Sequence, residues 1–465
     1  MLFNSFVFLC AFLPVTYVVF WNLRQARARY VWLTLTGYAF YGYWDPRFTL
    51  LMAFSTLVSF LAGLGFLRWS DPRRRRLCLI VPIATDLALL GFFKYTNFLL
   101  DSVQHVARAL GTDLSVPVLH IVLPVGISFY TFHTITYIVD SYRGVIRPTR
   151  NFFEFSAYVS LFSQLVAGPI VRFRQIEEDL ENIGSSDRTR WLGRGVAFFI
   201  VGLFEKVVIA DSLAAFVDPA LTNYQALSSG AMWLAFAGYT FQLYFDFAGY
   251  SDMAVGLGYL FGLRIPQNFN SPYKALDPSD FWRRWHISLS SCLRDYIYIP
   301  LGGNRDGEAR AYRNLMLTML IGGLWHGANW TFVAWGAYHG VLLVLYRRFG
   351  AVWNPLPMLA RQIAMFLLAL FGWVLFRSTS FHMAMWAFSR LFIPRAGTSI
   401  EGTAVFAVLI FAAGLLAMVG PNAFQLQDRG RPLQPRHAFA LAVALGACLA
   451  LMAGTGSSPF LYFQF

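Results

Sequence analysis

The sequence predicts an all-α integral membrane protein, a polytopic bundle of about 11–12 transmembrane helices with re-entrant or interfacial segments. Three observations lead there: the composition, the spacing of long apolar runs, and the places where arginines fall. Of 465 residues, 57% are hydrophobic and 18% aromatic, and only 13% are charged. Soluble domains carry about 25% charged residues, and a soluble chain of this size has too little interior for so much apolar surface. The formal charge of +13 does not point to nucleic acid. Its basic residues sit in short clusters between apolar runs, as at Arg24, Arg27 and Arg29 or Arg73 to Arg76, which is where membrane proteins gather them. Cys10, Cys78, Cys292 and Cys448 are scattered without a C-x-x-C pair, so neither a disulfide framework nor a metal site is expected.

A span needs about 20 mostly apolar residues. In order, the candidate runs are Phe3–Trp21, Tyr30–Trp44, Thr49–Leu67, Leu77–Phe93, Val116–Val139, Phe152–Val171 and Val196–Val217. They continue as Ala231–Leu260, Leu315–Tyr346, Ile363–Phe376, Ala404–Val419 and Phe439–Ala453. No internal repeat divides them, and residues 1–465 read as a single membrane-embedded domain. Arginines follow the first, third and fifth runs, at Arg24 to Arg29, Arg68 to Arg76 and Arg143 to Arg150. By the positive-inside rule those ends face the cytoplasm, and the N-terminus faces outside. The first run lacks a basic start and a small-residue cleavage site, so it reads as a retained span.

Two stretches break this pattern. From Pro266 to Arg313 the chain is charged yet rich in aromatics, with Trp282, Trp285, Tyr296 and Tyr298, and it reads as interfacial or partly re-entrant. The run Leu315–Tyr346 is too long for one untilted span and has arginines at both ends. That pattern predicts a re-entrant piece followed by a helix, both ends cytoplasmic, with Gly322, Gly323 and Gly327 supplying the break.

Ionisable groups inside apolar runs are costly, so each is a candidate for function. His326 lies mid-run in Ile321-Gly-Gly-Leu-Trp-His-Gly-Ala-Asn-Trp330, next to Trp325. Were the helix to continue, Asn329 and Trp330 would share its face. An imidazole is the natural general base near neutral pH, and the competing role is a buried histidine that joins two helices. His286 follows in Asp280-Phe-Trp-Arg-Arg-Trp-His-Ile-Ser288, where packing alone is the stronger reading. Arg284, Arg294 and Asp295 suit either headgroup contacts or a local ion-pair network. His339 comes 13 positions after His326, about 220° round an ideal helix, and reads as structural. Asp246, Lys206 and Asp211 read as partners that fix helices together. No phosphate loop, G-x-S-x-G elbow or His-x-x-x-x-Asp box accompanies these residues, which argues against a soluble-type covalent serine mechanism. From the residues alone, a proton-coupled transporter using His326 and Asp246, or a non-catalytic scaffold, stays open.

Several stretches together resemble the membrane-bound O-acyltransferase (MBOAT) family, in its bacterial branch of alginate O-acetyltransferase membrane subunits. They are Leu123–Phe132, Val166-Ala-Gly-Pro-Ile170, Tyr244–Met253, Asn268-Phe-Asn-Ser-Pro-Tyr273, Asp280–Ser290, Tyr298–Arg305 and Gly323-Leu-Trp-His-Gly-Ala-Asn-Trp330. The resemblance implies a multi-helix bundle enclosing a tunnel. It places the family's catalytic histidine at His326 and its upstream partner position at His286; Trp325, Asn329, Arg284, Arg294 and Asp295 are the supporting candidates read from the residues around them. It further implies a bacterial inner membrane location and acetyl-CoA, or another acyl thioester, as co-substrate, with no bound cofactor and no metal. Membrane lipid, a periplasmic SGNH-type acetyltransferase and a polysaccharide synthesis and secretion complex are the implied partners. The implied product is an O-acetylated extracytoplasmic polysaccharide: alginate first, then cellulose, peptidoglycan or another polymer.

Overall fold

A computed structural model describes residues 1–112, 114, 119–427, 434–455 and 458–461. Among them the chain is helical, and β-structure is limited to one isolated bridge between Leu227 and Thr398. The helices are α1 Leu13–Asn22, α2 Ala26–Gly42, α3 Arg47–Arg68, α4 Pro72–Leu90, α5 Thr96–Ala109, α6 Ile127–Tyr142, α7 Phe152–Val159 and α8 Phe173–Glu181. Next come α9 Arg188–Phe204, α10 Asp211–Thr222, α11 Ser229–Leu260, α12 Pro278–Arg284, α13 Ile287–Leu293, α14 Glu308–His326 and α15 Trp330–Trp353. The last are α16 Met358–Arg377, α17 Phe381–Phe392, α18 Thr403–Met418, α19 Ala423–Gln427 and α20 Pro435–Thr455. The residues form two compact units, one of Met1–Gly195 with Ala254–Pro266, the other of Val196–Met253 with Gln267–Phe465.

Among the described residues four helical stretches are long and apolar enough to cross a membrane by length and composition: Arg47–Arg68, Pro72–Ala109, Met358–Arg377 and Pro435–Gly454. Phe8–Asn22 and Thr403–Met418 are shorter apolar helices. Helix α3 shows why lipid is their solvent. Leu50, Phe54, Leu57 and Leu61 lie exposed on one stripe, while Ser55, Thr56 and Ser59 are buried on the other. A water-soluble helix has the opposite arrangement. The buried hydroxyls find partners inside, as where Ser55 Oγ and Thr134 Oγ1 each donate to the Asp86 carboxylate at 2.6 Å.

Two expected runs change their form, and one helix was not expected. Of Val116–Val139, residues 116–118 lie outside the described residues, and the helix begins only at Ile127. Gly126 ahead of it is left-handed, and a Cβ there would lie 2.3 Å from the Leu165 carbonyl oxygen. Phe152–Val171 is not a span. It holds the eight-residue α7 and then irregular backbone that is buried throughout. Its polar groups bond internally, Gln164 Nε2 to Tyr158 O at 2.7 Å and Tyr158 Oη to Val171 O at 2.9 Å. Non-helical backbone at such depth requires that kind of satisfaction. Helix α17 is the third difference. It was hidden because its apolar residues form a stripe broken by His382, Ser389 and Arg390 rather than a run.

At the close of the first unit Arg264 donates to Asp179 at 2.8 Å and to Glu178 at 2.7 Å. Those hydrogen bonds hold its guanidinium above the ordinary arginine value.

Candidate active site

All of the site lies in the second unit, and α14 and α15 build its centre. The long run is two antiparallel helices, as the pairing of Gly323 with Phe332, Met319 with Gly336 and Met316 with Gly340 requires. A Cβ on Gly323 would sit 2.3 Å from Phe332 O, and one on Gly336 would sit 2.4 Å from Met319 O. Only glycine allows backbones to approach so closely. Of the three glycines expected to supply the break only Gly327 does so, extended (φ −162°, ψ 154°) directly after His326, while Gly322 and Gly323 lie within α14. From Arg313 to His326 the helix rises about 20 Å, against a hydrocarbon core of about 30 Å.

The His326 ring is buried against Trp325 at 5.0 Å, Trp335 at 5.0 Å and Phe376 at 5.2 Å between centroids. The His286 centroid is 6.4 Å away, and Trp325 stands 5.9 Å from it. His286 arrives by different means. The segment expected at the interface is folded inward: Asn268, Tyr273, Phe281, Trp285 and His286 are all buried. His286 has left-handed backbone (φ 43°, ψ 55°) between α12 and α13. For a non-glycine residue this costs about 1–3 kcal/mol, so its surroundings must hold it. Ile287 N donates to Asn268 O at 2.8 Å and Asn270 N to Arg284 O at 2.9 Å, tying both flanks. Phe247 of α11 packs 4.7 Å from the ring, and His286 Nδ1 lies 3.1 Å from Asn268 Oδ1.

Of the residues singled out in the sequence, His326, His286 and Trp325 come together. Asn329 does not join them, because the helix ends before it. Its Oδ1 caps α15 by accepting from Thr331 N at 3.0 Å, and its Nδ2 donates to Thr379 O at 2.9 Å. Arg284 bonds Asp280 at 3.0 Å, and Arg294 forms a largely exposed pair with Asp295 at 2.7 Å. These fit the local ion-pair reading. His339 is two rings from His326, with Trp335 lying 5.0 Å from one and 4.9 Å from the other. Sequence reasoning did not assign Asn268, Phe247, Trp335 or Phe376. Trp335 comes from the facing helix of the same hairpin and the others from more distant elements, and the stretches Tyr244–Met253 and Asn268-Phe-Asn-Ser-Pro-Tyr273 carried the signal for Phe247 and Asn268.

Behind this cluster Lys206 is held between Asp246 at 2.5 Å and Asp211 at 2.7 Å. Asp246 Oδ2 also accepts from Leu461 N at 2.9 Å, and Lys206 Nζ donates to Pro459 O at 3.3 Å. The pair therefore anchors the segment 458–461, whose Phe460 packs 5.5 Å from Phe247. The polar trio is a fastening, as expected.

Residues 139–386 match the family described as MBOAT, membrane-bound O-acyltransferase family. The chain is 40% identical to the Pseudomonas putida protein named "Probable alginate O-acetylase AlgI", covering 100% of both chains. It is 37% identical to the Helicobacter pylori protein named "Peptidoglycan O-acetyltransferase", covering 83% of this chain and 78% of that one. Over 47% of its length it is 34% identical to a Streptococcus thermophilus "Teichoic acid D-alanyltransferase", covering 56% of it. A match over half the chain, together with a relative alike from end to end, places this protein in the membrane-bound O-acyltransferase family as an O-acyltransferase.

Proposed function

We propose that the protein moves acetyl groups from a cytoplasmic thioester, acetyl-CoA, through the membrane for O-acetylation of an extracytoplasmic, alginate-like polysaccharide. The observation that carries this reading is the His326 imidazole, buried in an aromatic box at the tip of a glycine-seamed hairpin and facing His286. In the reaction His326 takes the proton of an acceptor hydroxyl as its oxygen attacks the thioester carbonyl carbon. The C–S bond then breaks, and the imidazolium returns the proton to the leaving thiolate, so ester and free thiol result. Trp325, Trp335 and Phe376 exclude water, which suppresses hydrolysis of the thioester. His286 presents its ring to the same space, and Asn329 is left outside the chemistry.

The N-terminus faces the outside of the bacterial inner membrane, and the basic loops attract the phosphates of the donor on the cytoplasmic side. The immediate acceptor is a periplasmic SGNH-type partner, which completes transfer to the sugar. Support for alginate comes from the relative that is alike end to end, and the peptidoglycan relative is the reason to assay that polymer too.

The test is polymer O-acetylation in a deletion strain complemented with wild type or His326→Ala at equal membrane levels. Wild type is expected to restore acetyl esters and the variant to restore none. Full acetylation by a folded His326→Ala protein would remove the base from the mechanism.

A further inference from the structure

We infer that Asn268 is a positioning residue that locks His286 as the Nδ1-protonated imidazole, leaving Nε2 as an acceptor in the site. The inference rests on the acyl-transfer reading above for its consequence, but its premise is the hydrogen bonding alone.

The argument begins with a donor whose identity is fixed. The backbone N–H of Ser288 points to one amide atom of Asn268 at 3.2 Å, and that atom must therefore be oxygen. Ser288 Oγ donates to the same oxygen at 2.8 Å. On the other side Asn268 Nδ2 donates to Ser251 Oγ of α11 at 3.0 Å, which braces the amide against a flip. The atom facing His286 Nδ1 at 3.1 Å is thus an acceptor, and Nδ1 must carry the hydrogen. Ser288 Oγ is also 3.5 Å from Nδ1, too long to compete. Asn268, Ser251, Ser288 and His286 are all buried, so no bulk water replaces these bonds.

With its hydrogen on Nδ1, neutral His286 has only a lone pair at Nε2, which is buried and has no protein partner. It is then unable to donate a hydrogen bond to the acyl oxygen as negative charge grows there. It can accept one from an N–H of His326. The two histidines share the work: His286 Nε2 orients the His326 ring, and the other nitrogen of His326 removes the proton of the hydroxyl. The left-handed backbone at His286 supports the same view, because the strain is held by bonds from Asn268 at both main chain and side chain.

Second-layer hydrogen bonds that orient a functional imidazole are worth about 10–100-fold in activity. Loss of Asn268 should cost that much in kcat with little change in the KM for acetyl-CoA. The direct test is the ¹⁵N spectrum of histidine-labelled protein in lipid bilayers, with the His286 signals found by difference against His286→Gln. A protonated Nδ1 and bare Nε2 in the wild type are expected. A protonated Nε2 in the wild type overturns the proposal, whatever the variants do. Asn268→Leu should release the tautomer and slow thioester consumption 10–100-fold. Asn268→Asp, which keeps an acceptor, should restore the Nδ1–H signal and part of the rate. A folded Asn268→Leu protein with the wild-type rate also overturns it. If His326→Ala stays active while His286 shows the Nδ1–H tautomer, the assignment of His326 as the base fails and the tautomer assignment stands. A dead His326→Ala with the opposite tautomer fails the assignment alone.

Discussion

His326 and His286 face each other across 6.4 Å, yet they are held there in opposite ways. His326 ends a regular helix, and its place follows from two backbones packed together at Gly323 and Gly336. His286 sits at a strained residue between two seven-residue helices, and its place follows from Asn268, Phe247 and the backing of α11. One histidine is positioned by close main-chain packing, the other by a polar network with an ion pair behind it. The comparison teaches that the two halves of one site should fail differently.

The largest expected effect lies on the His286 side. Lys206→Met leaves the buried Asp246 carboxylate with the Leu461 amide but without its cation, and removing one partner of a buried pair costs about 3–5 kcal/mol. A thermal melt of the purified protein should show the loss, and limited proteolysis should show release of the C-terminal segment. An unchanged melt would mean that Asp246 is neutral or hydrated. On the His326 side, Gly323→Ala forces a methyl toward the Phe332 carbonyl and should cost about 1–3 kcal/mol, with an acetylation rate that falls even among folded molecules. Retention of both would show that the hairpin can open without moving its tip.

Smaller effects sharpen the boundary of the site. Asn329→Ala removes a helix cap and should cost about 1 kcal/mol of stability while acetylation per folded molecule persists. A collapse of kcat at normal stability would return Asn329 to the chemistry. Arg294→Ala breaks a largely exposed pair and should change stability by no more than about 1 kcal/mol. A larger drop would reveal a partner beyond Asp295.

The hairpin was legible because its signals are local. Glycines beside a histidine, an apolar run too long for one span and arginines at both ends are all visible within about 40 positions. The His286 pocket was not. Asn268 and His286 are 18 positions apart and Ser251 lies 17 before Asn268, with no period linking them. Aromatic and charged residues between Pro266 and Arg313 read as interfacial, because composition cannot tell a surface from a buried aromatic stack. Similarly, the run at Phe152–Val171 was apolar enough for a span, and only its internal hydrogen bonds show how irregular backbone survives there.

The sequence by itself determined that lipid is the solvent, that the fold is helical, and that His326 stands where an ionisable group is costly. These follow from composition and from short-range spacing, which physics reads along the chain. Tertiary structure alone decided that His286 is buried beside it, that Asn329 is a cap, and that Lys206 and Asp246 fasten the segment 458–461. Each of these depends on which distant groups satisfy a buried donor or acceptor, and hydrogen bonds between remote residues leave no period in a sequence.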